Sequence, residues 1–122
     1  ATLIFGGVLH RHPDIDICLS HAGGTMTSLI GRFNRACTKR PWVPEHLQYE
    51  GAFEESLQKL WFDTHVHDPR VLNWVIDIVG TDKLLLGTNF AGWDQHAMTQ
   101  DVPAELALTM ADNAKRLLRV ST

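Results

Sequence analysis

Apolar residues along this chain follow two alternating rhythms. Short apolar runs are each followed, after a polar break, by apolar positions three and four apart. The first rhythm marks strands and the second marks helices with one buried face. The run Ile15-Asp16-Ile17-Cys18-Leu19 predicts a strand over 16–20, and Ser20-His21-Ala22-Gly23-Gly24 interrupts it. Leu29, Ile30 and Phe33 then predict a helix over 28–38, with Thr27 or Ser28 as its N-cap. Leu60 to Thr64 reads as a second strand. Asp68-Pro69 is a helix start, with a capping carboxylate followed by proline at the first helical position. Val71, Leu72, Val75, Ile76 and Val79 give that helix one apolar face, and Gly80 ends it. The nearly continuous apolar run over 83–88 predicts a third strand buried on both faces.

The remaining segments fill in around these units. Ile4, Phe5, Val8 and Leu9 predict a helix over 2–12 that Pro13 stops. Gly6-Gly7 within it costs about 1 kcal/mol per glycine if exposed, so a close helix–sheet contact is expected there. Residues 39–51 read as irregular: Pro41 and Pro44 bracket Trp42, and Glu45-His46-Leu47 suits one helical turn. Such a long connection is either a lid or substrate wall, or a packed surface loop. A short helix is expected over 52–59 and a loop over 89–101. Pro103 opens a helix holding Leu106 and Met110, and a final short helix over 112–119 is expected to pack Leu117 and Leu118.

The order α-βα-βα-βα implies parallel strands with right-handed crossovers. The strands then end at His21, at residues 63–67 and at Asn89, on one edge of the sheet. This is the layout of a (β/α)8 barrel followed along its C-terminal face. Three units do not close eight strands, for which about 250 residues are typical. The fold class is therefore α/β, either the C-terminal portion of a TIM-type barrel or a small open sheet.

Composition narrows the function classes. The 122 residues are 44% hydrophobic and 20% charged, as in one ordinary globular domain. A formal net charge of −3 argues against nucleic acid as a partner. The local cluster of Arg35, Lys39 and Arg40 suits a solvated helix end. No apolar run approaches the roughly 20 residues of a membrane helix, so no membrane partner is expected, and no secretory pattern is visible. Cys18, on an expected buried strand, and Cys37, on a helix, suggest a reducing, cytoplasmic setting rather than a disulfide scaffold. Residue 1 is Ala and the chain opens inside a helical pattern, which reads as a piece of something longer.

The candidate chemistry gathers at the strand ends. His21 precedes Gly23-Gly24, which let backbone approach a ligand, and a strand-end imidazole can act as acid, base or ligand. The alternative is a histidine bonded to a loop carbonyl. Arg32, early in the next helix, could hold a carboxylate bidentately or simply lie on the surface. His65 and His67 stand two apart, as residues facing one way on a strand do, and such a pair can bind one metal ion. They follow the strand, however, so the alternation need not persist. Asp63 is expected to make strand-end hydrogen bonds. Asn89 offers a neutral amide where a carboxylate would be a natural ligand. Asp94 and His96 could contribute from the same loop, and Trp93 reads as a hydrophobic plug. His10 and His12 are expected on the surface at a helix end.

Taken together these motifs resemble the C-terminal part of the amidohydrolase-related family typified by aminocarboxymuconate semialdehyde decarboxylase. The resemblance rests on His-Pro-Asp at 12–14, Ser-His-Ala-Gly-Gly at 20–24 with Gly-Arg at 31–32, and Phe-Asp-Thr at 62–64 with His-Asp-Pro at 67–69. Leu-Leu-Gly-Thr at 85–88 and Asp-Asn-Ala-Lys-Arg-Leu-Leu at 112–118 complete it. It implies that residues 1–122 are strands six to eight of the barrel with their helices. It implies a hydrolase or decarboxylase that uses a divalent metal, usually zinc, on a small carboxylated substrate. His21 then matches a catalytic proton-transfer histidine, and Arg32 matches a carboxylate-binding arginine. Trp42 and His67 are substrate-binding candidates, the latter in a recurrent His-Asp-Pro. Asn89 stands at the position of a metal-ligating aspartate. That substitution, and the lack of the family's other metal-binding strands, weaken metal binding by this chain alone. A catalytically incomplete remnant with a binding or structural role is the alternative, and its exposed edges would favour a homo-oligomer. A flavodoxin-like nucleotide binder is disfavoured, because no phosphate-cradling glycine motif is present.

Overall fold

The computed structural model describes residues 1–95 and 102–120. His96 lies outside the described residues. The elements, in order, are α1 (Thr2–Phe5), α2 (Val8–Arg11), β1 (Cys18–Leu19), α3 (Ile30–Lys39), α4 (Ala52–Leu57), β2 (Trp61–Asp63), α5 (Pro69–Val79), β3 (Leu84–Leu85) and α6 (Ala104–Leu118). Single 3₁₀ turns occupy His21–Gly23 and Glu45–Leu47. The strands form a parallel sheet in the order β1-β2-β3, with Leu19 opposite Phe62 and Asp63 opposite Leu85. The α/β alternation with parallel strands is as expected.

Burial explains why the sheet forms here. Phe62 and Leu84 on adjacent strands are fully buried, with Leu57 and Leu60 leading into β2 and Val75 of α5 and Met110 of α6 covering it. Around the N-terminal end, Phe5, Phe33 and Phe53 form a tilted and edge-on aromatic cluster with centroids 4.5–5.8 Å apart. Offset and edge-on geometry of this kind adds to the stabilisation from area alone. Asn34 of α3 ties α4 into this layer: its Oδ1 accepts from the Glu54 backbone N–H, and its Nδ2 donates to the Glu54 carboxylate. It thereby satisfies one of the orphan donors at the start of a helix with no side-chain cap of its own.

Several expectations are corrected. The N-terminal helix is two short turns, broken where Gly7 takes a left-handed φ of 72°. Helix α3 begins at Ile30 with Leu29 at its cap position and no side-chain cap; Thr27 is buried. The two expected C-terminal helices are one, α6. Asn113, near the start of the expected second helix, is buried, and its Nδ2 donates to Thr81 O and Leu84 O, both at 2.8 Å. That side chain pins α6 to the entrance of β3, so continuity is favoured by a tertiary contact. Leu118 is 70% exposed rather than packed. Cys18 is exposed, because β1 is the outer strand among those described, and Leu86 is exposed although Leu84 is buried. The start of α5 is as expected: the Asp68 side chain accepts from Arg70 N at 2.8 Å, Pro69 opens the helix and Gly80 closes it.

Candidate active site

Asp63, the last residue of the central strand, organises the strand ends. Its Oδ1 accepts from the backbone N–H of Ala22, in the turn after β1, and from that of His65, each at 3.1 Å. A methyl group on Gly87, just past β3, would stand 2.9 Å from Asp63 Cβ, so only glycine lets the third strand close on this carboxylate. Gly23 is required for a parallel reason: its φ is +78°, and a Cβ there would meet the Phe62 ring at 2.9 Å. The expectation that Asp63 makes strand-end hydrogen bonds is met. The three loops are thereby drawn together, with His21 on the first, His65 and His67 on the second, and Asn89 and Asp94 on the third.

His65 is 3% exposed, and its Nε2 lies 3.1 Å from Asp94 Oδ2. His67 Nε2 lies 3.5 Å from the same oxygen, so the two histidines do face one way although the strand has ended. The His65 ring meets those of His21 and His67 edge-on, at centroid distances of 5.0 and 4.8 Å. The Asn89 side-chain amide donates to the other Asp94 oxygen, Oδ1. Hydrogen bonding from His65, then from Asn89 and His67, holds the Asp94 carboxyl at about 2, well below the usual carboxylate range. Asp94 is therefore an anion flanked by imidazoles. His65 Nδ1 is buried and has no hydrogen-bond partner among the described residues. Leaving such a group unpaired costs about 1–3 kcal/mol. One ligand atom each from His21, His65 and Asp94 lie within 4.8 Å of one another.

The other candidates share no hydrogen bond, ion pair or ring contact with these side chains among the described residues. Arg32 is exposed and, among the described residues, makes no hydrogen bond or ion pair. Trp42 is 61% exposed and packs edge-on against Phe5 at 5.2 Å. Trp93 is 96% exposed and plugs nothing among the described residues. His10 is exposed as expected, but it stacks on His46 at 4.1 Å, a pairing with no signal in the sequence. The backbone at the strand ends is unusual: His21, Ala22, Asn89 and Ala91 all have φ between 47° and 62°. Asn89 itself is exposed, and its neutral amide is engaged with Asp94, so it does not fit the role of a charged metal ligand.

The family model described as amidohydrolase matches residues 1–120, and the chain belongs to this family. Within it the chain is of the aminocarboxymuconate semialdehyde decarboxylase-like kind. It is 33% identical over 89 residues to the 2-amino-3-carboxymuconate-6-semialdehyde decarboxylase of Dictyostelium discoideum, a match covering 73% of this chain and 24% of that protein. It is 28% identical over 116 residues to the 6-methylsalicylic acid decarboxylase of Penicillium expansum, covering 93% and 35%. The chain thus spans about a quarter to a third of the length of these relatives. Among solved structures, it superimposes on 5-carboxyvanillate decarboxylase from Sphingomonas paucimobilis with a TM-score of 0.78 at 19% identity, over 98% of this chain and 38% of that one. It matches a dihydroxybenzoic acid decarboxylase from a Polaromonas species, solved with manganese and 2-nitroresorcinol, with a TM-score of 0.72 at 15% identity, over 97% and 38%. No helix among the described residues is long and apolar enough to cross a membrane.

Proposed function

We propose that the chain forms the sixth to eighth strands of a (β/α)8 barrel whose strand-end site removes a carboxylate, as CO2, from a small carboxylated aromatic or enol substrate. The observation that carries this reading is the convergence of His21, His65, His67 and Asp94 at the ends of three parallel strands, in a chain whose matched relatives are named decarboxylases. Decarboxylation of such a substrate needs a proton delivered to the carbon that bears the carboxylate. The C–C bond then breaks, its electron pair restores the π-system, and CO2 leaves. His21, exposed at the end of β1, is the proton carrier: its imidazolium donates to the carbon, and the imidazole regains a proton from solvent or from a substrate hydroxyl. Arg32 binds a substrate carboxylate, His67 touches the substrate from the second loop, and Trp42 forms an apolar wall. A divalent ion, where bound, would supply positive charge for substrate oxygens and acidify water.

The test is a CO2-release assay on the full-length protein with dihydroxybenzoates, other carboxylated phenols and carboxymuconate-type enols, with zinc or manganese supplied. His21→Asn should lower kcat by about 100-fold or more, and Arg32→Ala should act mainly on KM. Absence of turnover with every such substrate would end this reading.

A further inference from the structure

We propose that the cleft between α2, the Glu45–Leu47 turn and the segment after α4 binds a small organic carboxylate, with the stacked imidazoles of His10 and His46 and the ammonium of Lys59 as its cationic wall. The proposal does not rest on the decarboxylase reading. Lys59 stands two residues before β2 begins and His65 two residues after it ends, so this cleft and the strand-end site lie at opposite ends of the central strand.

The lining combines an apolar floor with a basic rim. The cleft holds about 150 Å³, and Ile4 and Leu47 on its floor are nearly fully buried. His10, His46 and Lys59 line it and are exposed. Among the described residues none of these three has an acidic partner. The Arg11 guanidinium lies close by: a methyl group on Gly7 would meet Arg11 Nη1 at 3.0 Å and His46 Cε1 at 3.7 Å. In a chain of formal net charge −3 this is a local excess of positive charge, which draws anions. The two hydroxyls in the lining are already spent. Ser56 Oγ donates to Ala52 O and the Tyr49 hydroxyl to the Glu55 carboxylate, each at 2.8 Å. The donors left at the rim are imidazole and ammonium N–H groups, whose strongest partner is an anion. A cavity of this volume takes in a body about the size of a benzene ring, and the apolar floor favours such a body over inorganic phosphate.

The stack makes binding proton-linked. The two rings lie 4.1 Å apart at 17° to one another, so both cannot be charged without repulsion. Burial first, then the charges of His10 and Lys59, hold the His46 pKa below its ordinary 6.5. The charged groups around the stack are Arg11 of α2, Lys59 after α4, Glu45 on the turn itself and Glu55 of α4, the last bonded to Tyr49. A carboxylate in the cleft stabilises the imidazolium forms, raises the pKa of both rings and takes up protons. Affinity is therefore greatest below the free-state pKa and declines as pH rises through the bound-state pKa, leaving Lys59 as the remaining rim cation.

The experiment is an NMR titration of the 122-residue chain with benzoate, inorganic phosphate and neutral benzyl alcohol, at about pH 5.5 and about pH 8. Benzoate should produce saturable shifts in the His10 and His46 imidazole C–H and Leu47 methyl signals, with affinity at least about threefold weaker at the higher pH. His46→Gln and Lys59→Gln should each weaken binding by about threefold. Lys59 is exposed and keeps the backbone carbonyl that Lys83 uses, so Lys59→Gln keeps the test decisive if a change at His46 unsettles the turn. No saturable shift at His10 and His46, full affinity in both variants, benzyl alcohol binding as tightly as benzoate, or shifts confined to His21 and His67 would each overturn the proposal. Phosphate binding in the cleft as tightly as benzoate would overturn the assignment to an organic carboxylate.

Discussion

The Asp63 carboxylate accepts a hydrogen bond from the Ala22 backbone N–H, 41 residues earlier in the chain, and so holds the turn that carries His21 against the end of the central strand. Ala22 is buried, so its N–H has no water to turn to if the carboxylate is lost. Asp63→Ala should therefore destabilise the fold by about 3 kcal/mol, the sum of an unsatisfied buried donor and a lost charge-assisted bond. Urea denaturation of the two proteins measures this. Asp63→Asn, which keeps an acceptor oxygen, should cost less than half as much.

Gly87→Ala places a methyl group 2.9 Å from Asp63 Cβ, and backbone of the His65 segment crowds it as well. The strand ends must separate to admit it, at about 1–3 kcal/mol. A thermal melt should show the loss, and His65 and His67 imidazole resonances should shift with it. An unchanged melting temperature would mean that the third strand is not held against Asp63.

Asn113→Ala leaves the carbonyls of Thr81 and Leu84 without their side-chain donor. Chemical denaturation should report a loss of about 2–3 kcal/mol. Asn113→Leu, which adds bulk and no donor, should be no better. Amide exchange should show the β3 and α6 region opening first.

Acid should destabilise the chain through Asp94 and Asp68. Both carboxyls are held at about 2, below the ordinary 3.8: Asp94 chiefly by hydrogen bonding to His65, Asp68 by the Arg70 side chain and backbone. A folded-state value below the unfolded one gives stability that is complete above the unfolded value and is lost as pH falls toward the folded one. Denaturation midpoints should be insensitive to these two groups at neutral pH and decline from about pH 4 toward about pH 2. The Arg70–Asp68 pair is exposed and contributes little. Asp94→Asn should therefore visibly flatten the decline, and an unchanged acid limb in that variant would remove Asp94 as its cause.

What could be read from the residues alone was what neighbours in sequence determine. Asp68-Pro69 and Gly80 bound α5 because a cap, a preset φ and a stop act on adjacent backbone, and the polar break at His21 marks a strand end for the same reason. Longer-range facts were not legible. A second helix was expected to begin at Asp112, but α6 runs on through Asn113, which finds two carbonyls about 30 residues away in β3 and its approach. His65 and Asp94, 29 residues apart, pair only because Asp63, Gly23 and Gly87 gather three loops. The His-x-His spacing hinted at a shared target. Which carboxylate would meet the pair, and that Asn89 would orient that carboxylate, depend on loop geometry that carries no periodic signal.

The left-handed backbone at the strand ends sets stability against chemistry. His21, Ala22 and Ala91 occupy a region that disfavours ordinary side chains by about 1–2 kcal/mol each. Glycine would relieve that strain at any of them, and at position 21 it would erase the imidazole. Library selection of this chain for thermal robustness alone should thus enrich glycine at positions 21, 22 and 91. On the proposed role of His21 as proton carrier, the fittest folders from such a library would release less CO2 in the full-length protein. A histidine at position 21, held against its own backbone preference, is a local cost to the fold that the proposed proton-carrier role would offset.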